Sequence, residues 1–233
     1  SSLWTAGWTT HSAAGEGTTL NDIDTTQFSS SATSGDTGEL LIYDSAGDGA
    51  EEVFQTTSDG DVYVRIVKGR WTDDVTWDLV DGSAETIYVL QGAVFIGTNG
   101  DTTSPTAFDD KTQLTIEAGV EIRGEVDDQD PGALIIDRDG RINAVGTADS
   151  PIVFTSLKNP GERAAGDWGG IIINGYGRLQ KGTAEGEGNT GVFGGGEAPV
   201  NDDNSGTLRY VRVAFAGTLF SPDNELNGIA FQA

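Results

Sequence analysis

Two short groups of acids, each closed by an arginine, are the residues best placed to do chemistry. Glu117, Glu121 and Arg123 form the first, and Asp137, Asp139 and Arg141 follow about twenty positions on. Paired carboxylates on neighbouring strands could act as acid and base on a glycosidic bond. A plainer reading is favoured. Outward positions of stacked strands must be polar, and a pair such as Glu121 with Arg141 is then ordinary cross-strand pairing. The single histidine, His11, lies in an irregular N-terminal stretch, so a Ser-His-Asp site is not expected and His11 is read as a surface residue.

Three loops carry enough carboxylate oxygen to hold a hard cation. Asp44 and Asp48 precede Glu51 and Glu52 among glycines; Glu125, Asp127, Asp128 and Asp130 share one loop; Asp202, Asp203 and Asn204 precede a strand. Calcium takes six to eight oxygen ligands, so Ca²⁺ is the cofactor these loops would hold. The first loop departs from the EF-hand pattern, lacking its third-position Asp and twelfth-position Glu. Each is also an ordinary turn sequence, because Asp and Asn bond their own backbone there. "GVFGGGEAP" has no Lys-Ser/Thr after it, so it is a flexible loop and not a phosphate-binding one. Trp168 in "GDWGG" is either a sugar-stacking platform or, as favoured, a residue packed against a wall that glycines let it approach.

These residues sit on short β-branched strands separated by Gly, Asn or Asp. "LTIEAGVEIRG" and "ALIIDRDGRINAVG" read as one phrase written twice, a strand, a glycine and another strand, at an interval near twenty residues. Such a unit cannot bury its apolar face alone, but copies stacked on one another build a continuous core. The expected architecture is all-β, a parallel β-helix over residues 86–233, interrupted at 98–111, 125–131, 157–166 and 181–206. Residues 39–85 show a separate strand pattern, with Val62, Val64 and Ile66 alternating with Tyr63, Arg65 and Val67, and are expected to form a small β module or cap. Residues 1–38 are expected to be an irregular arm anchored by Trp4, Trp8, Leu20, Ile23 and Phe28.

Composition narrows the partners. Thirteen Lys and Arg against 37 Asp and Glu give a net charge of −24. Phosphate would be repelled over most of the surface, which excludes nucleic acid and disfavours anionic membranes. There is no cysteine, so stability rests on burial and backbone ladders. No apolar run is long enough to span a bilayer as a helix.

The phrases "YVLQGAVFIG", "LTIEAGVEIRG", "ALIIDRDGRINAVGTADSPIVFTS", "GDWGGIIINGYG" and "DDNSGTLRYVRVAFAG", in that order, resemble a family of secreted and cell-surface bacterial β-helix proteins, common in Bacteroidetes-type bacteria and often labelled as transporters. The resemblance covers roughly residues 86–233. It implies a right-handed parallel β-helix, an extracellular or cell-surface location, and no catalytic residues to carry over. It also implies further rungs, so "NELNGIAFQA" reads as the inside of an unfinished rung: a fragment, or an end completed by another copy.

The expected function is therefore a non-enzymatic extracellular scaffold or adhesin, a homo-oligomer through its solenoid edges or N-terminal arm, with filaments as one expected form. The alternative is a β-helix that binds or cleaves polysaccharide, with glycans as partners.

Overall fold

The computed structural model describes residues 17–34, 38–81, 83, 85–98, 107–221 and 224–232. Trp4, Trp8 and His11 lie outside the described residues. An antiparallel cap comes first: β1 (Phe28–Ser34) pairs β2 (Gly38–Tyr43), which pairs the strand after β3 (Gln55–Thr57). The rungs follow. The first is β4 (Gly60–Trp71), whose two halves serve two faces, and β5 (Val75–Trp77). The second repeats this with β6 (Glu85–Ile96), bent at Gly92, and β7 (Thr112–Ile116). The third uses β8 (Glu121–Gly124), β9 (Ala133–Ile136) and β10 (Gly140–Val145). The fourth uses β11 (Ile152–Ser156) and β12 (Gly170–Asn174). An insertion with the hairpin β13 (Ala184–Glu185) and β14 (Val192–Phe193) then leads to β15 (Gly206–Arg209). The fifth has β16 (Val211–Val213), the hairpin β17 (Leu219–Ser221) and β18 (Asn224–Glu225), and β19 (Ile229–Gln232).

Between rungs every pairing is parallel. Face A stacks β4, β6, β8, β11 and β16; face B stacks the second halves of β4 and β6 with β9, β12 and β19; face C stacks β5, β7, β10 and β15. The all-β parallel stack expected from the sequence is present. It begins earlier than residue 86, however. The strand containing Val62, Val64 and Ile66 pairs in parallel with β6, so residues 60–77 are the first rung, not part of a separate module. The strand looked like part of a separate module because it also pairs antiparallel with β2 of the cap.

Register explains the core. On face A the inward ladder runs Arg65, Tyr88, Ile122, Phe154, Val213. On face B it runs Trp71, Ile96, Ile136, Ile173, Phe231. On face C two columns run Trp77, Ile116, Ala144, Leu208 and Val75, Leu114, Ile142, Gly206. The middle rungs are fully enclosed. Burying one such side chain contributes about 1.5–3 kcal/mol, so the lumen supplies most of the stability of a chain without disulfides.

The two phrases that read alike do not stack on each other. Leu114 lies on face C and pairs with Ile142, whereas Leu134 lies on face B and pairs with Val94. The first phrase turns a C-to-A corner and the second a B-to-C corner. All three faces use the same strand–glycine–strand chemistry, so the eye matches corners one strand out of phase.

Two outer layers complete the fold. Val62, Val64, Ile66, Ile87 and Val89 point outward on face A and are covered by Leu20, Ile23, Phe28 and Phe54. Ile135 and Ile172 point outward on face B and pack with Leu226.

Candidate functional site

The solenoid has a polar closure at its first rung, a charged cluster on its flank and a cavity in its last described rung. At the N-terminal end the face A ladder stops at Arg65. Its guanidinium donates two hydrogen bonds to Glu51, at 2.8 and 2.9 Å, and others to Asp78 and the Tyr88 hydroxyl, both at 2.6 Å. Burial works against the Arg65 charge, but Glu51, Tyr88 and Asp78 more than offset it and hold its pKa above the ordinary value. Burial also raises the Tyr88 hydroxyl, which Arg65 only partly counters. Trp77 stacks on Tyr88 with ring centroids 5.3 Å apart. The other two ladders end in Trp71 and Trp77, which are only 2% and 1% exposed. This end is closed.

Asp44 makes the closure possible. Its carboxylate accepts from the amides of Gly47, Asp48 and Gly49 at 2.6, 3.1 and 2.9 Å and from the Ser29 hydroxyl at 3.0 Å. The Gly49 amide, with the other donors, holds its pKa below the usual value despite burial. The loop so folded delivers Glu51 to Arg65. Asp48 is exposed and caps the Ala50 amide.

The other acidic loops close in the same way. Asp127 accepts from the amides of Gln129 and Asp130 at 2.7 and 3.0 Å, which lowers its pKa, while Asp128 and Asp130 are exposed. Asp203 pairs with the buried Lys111 at 2.8 Å and accepts from the Tyr176 amide at 2.9 Å; Asp202 is exposed. Among the described residues no three acidic or histidine side chains converge in a metal-binding arrangement. The carboxylates expected to take Ca²⁺ are engaged with amides, a hydroxyl or a lysine, or point to solvent.

The two acid–arginine groups also separate. Glu121 and Arg123 are on face A, while Arg141 is on face C beside Gln113, so Glu121 does not meet Arg141. Asp137 pairs with Arg70 at the B-to-C corner, and Asp139 accepts from the Thr98 amide there. Glu117 is exposed.

Glu121 instead belongs to a buried cluster that sequence reasoning missed. Its carboxylate lies 2.6 Å from Arg123 Nε and 4.0 Å from Arg163 Nη2. Burial pushes its pKa up to about 7; Arg123 counters this in part and the Glu85 carboxyl, one rung away, adds to it. Residues 17–20 lie across the cluster. Thr18 donates to Glu85, and its carbonyl accepts from Arg123 at 2.7 Å. Asn159 grips Leu20 through both backbone groups, at 2.8 and 3.1 Å. Glu85 meets Glu121 only across rungs, so no local spacing could have announced the pair.

In the last described rung β15, β16 and β19 each pair with the rung before it. A cavity of about 600 Å³ opens between Ile142, Leu208, Ile173 and Phe231. It exists because the column Val75, Leu114, Ile142 ends in Gly206, which has no side chain. Gly206 has φ +120°, and a Cβ there would fall 1.9 Å from the Ile142 carbonyl oxygen, so no larger residue fits. Phe231 tops the face B ladder and is 73% exposed. Trp168 is not a sugar platform: it is buried, stacked near Phe154, with Nε1 donating to the Ala214 carbonyl at 2.8 Å. The glycine-rich loop is pinned, not free. Gly194 and Gly195 donate to Gly175 and Gly177, and Arg138 donates to the Gly194 carbonyl.

Comparison with known proteins agrees with the three parallel faces. A family model described as a pectate-lyase-like beta helix domain matches residues 72–233. The chain belongs to that family. The pectate-lyase-like match starts inside the first rung, just after β4, and runs through the fifth, so it leaves out the antiparallel cap and β4. No curated protein and no solved structure matches the chain. No helix among the described residues is long and apolar enough to cross a membrane.

Proposed function

We propose that the chain is a structural β-solenoid of the cell surface or extracellular space that serves as a scaffold. The observation that supports this is that its acidic loops are spent on the fold itself: Asp44 and Asp127 accept from backbone amides, Asp203 pairs with Lys111 and Asp137 with Arg70. Asp44→Asn and Asp203→Asn should each lower the melting temperature, and added Ca²⁺ should raise that of neither the wild type nor the variants. A wild type whose melting temperature rises with Ca²⁺, or a loss of glycan binding or cleavage in these variants, would overturn the proposal.

A second reading, a protein that binds or cleaves polysaccharide, is favoured by the family's description and by the Glu85, Glu121 and Arg123 cluster on the outer side of face A. Residues 17–20 cover that cluster, so it would act only after they lift. Binding or cleavage on a panel of neutral and acidic glycans, lost in Glu121→Gln, would establish it.

A further inference from the structure

Residues 17–21 lie over the acid–arginine cluster on face A, yet the strand ladders do not hold them. Among the described residues no main-chain hydrogen bond joins this segment to the sheet. Side chains hold it instead. Gln55 donates to the Thr19 carbonyl and accepts from the Asn21 amide, both at 2.9 Å. Asn159 bonds both backbone groups of Leu20, Arg123 donates to the Thr18 carbonyl, and Thr18 donates to Glu85. The Gly17 backbone lies directly on the cluster: a Cβ there would fall 2.4 Å from Glu121 Oε2.

The cluster beneath needs a proton to stay covered. Glu121 and Glu85 hydrogen-bond to each other across adjacent rungs. Two carboxyl groups share a hydrogen bond only when one of them is protonated. Among the described residues the charged groups packed on Glu121 are Arg123 of its own strand, Glu85 of β6 and Arg163 of the loop after β11. Its ladder neighbours, Ile87 and Val153, carry no charge, and neither do residues 17–21.

We infer that residues 17–21 are a proton-locked strap, which closes over the cluster while Glu85 and Glu121 share a proton and lifts when that proton leaves. Ionising both carboxyls sets two like charges in contact in a buried place. The rungs on either side are fixed by backbone ladders, so water reaches the pair where the side-chain-held strap comes away. Lifting uncovers Glu121, Arg123 and the apolar bed of Leu20, which includes Ile87 and Val89. The raised pKa of Glu121 gives the direction: closure is strongest in acid and loosens as pH rises to about 7. The strap is independent of the scaffold reading. For the glycan reading it supplies the condition under which the cluster becomes accessible.

Amide exchange followed by NMR from pH 5 to pH 8, with each rate divided by its intrinsic value at that pH, tests this. The Leu20 and Asn21 amides should lose protection at least about tenfold across that range. The Gly47 and Gly49 amides, which Asp44 holds in the cap, are the control and should not change. Glu121→Gln is neutral at every pH and still bonds Glu85, so its strap should stay protected up to pH 8. Glu85→Gln should behave in the same way, and circular dichroism melts show which variants fold. Wild-type protection of Leu20 and Asn21 that does not change with pH would overturn the strap. So would a pH dependence that survives in either folded variant.

Discussion

The first rung and the last described rung carry the same ladders in different ways. At the cap the inward columns end in Arg65, Trp71 and Trp77, large side chains that are covered or bonded. In the last described rung the corresponding columns reach Val213, Phe231, Leu208 and a glycine, and a cavity lies between them. A repeat buries its apolar side against copies of itself, and a terminal repeat needs a closing device. On the N-terminal side that device is a polar knot under an antiparallel cap. The contrast is between a rung closed by its own polar side chains and one that presents what a middle rung presents.

Changes at the closed end should be the most damaging. Arg65→Ala strands Glu51, Asp78 and Tyr88 together. Breaking a buried, hydrogen-bonded pair from one side costs about 3–5 kcal/mol, and the partial exposure of Asp78 argues for the lower figure. Urea unfolding should show that loss.

The acid cluster between the ends sharpens the comparison through pH. Glu121 has a raised pKa, so the folded chain holds a proton that the unfolded chain has released between about pH 4.5 and pH 7. Stability is therefore greatest below pH 4.5 on this account and falls as pH rises to about 7. The expected loss is on the order of 2–3 kcal/mol. Glu121→Gln should flatten that slope in denaturation measured from pH 4.5 to 8.

In the middle of the stack, Gly124→Ala places a Cβ 2.6 Å from Trp168 Cβ. Overpacking of this kind costs about 1–3 kcal/mol, read as a lower melting temperature. In the last described rung, Phe231→Asp should change the stability of this chain least, by about 0.5 kcal/mol or less in urea unfolding, because Phe231 is already mostly in water.

How much of this the sequence disclosed follows from where information is local. The strands were legible, since runs such as 133–136 and 170–174 are β-branched, short and bounded by turn residues. Stacking was legible from their recurrence. Phase was not: three faces with the same inward alternation cannot be told apart until register is known, which is why Leu114 seemed to match Leu134. The acidic loops were legible as loops. Whether Asp44 serves a cation or its own backbone depends on the fold of Gly47–Gly49, and the same residue types suit either. The Glu85–Glu121 contact and the grip of Asn159 on Leu20 join positions far apart in the chain, so no spacing could have revealed them.

Hydrogen exchange, read peptide by peptide in the wild type and in Arg65→Ala, tests the closure of the first rung most directly. Amides of β4 and β6 should be strongly protected in the wild type. In Arg65→Ala, β4 and the loop from Asp44 to Glu51 should lose protection before the middle rungs do. Unchanged protection of β4 in that variant would contradict the claim that the polar knot closes this end.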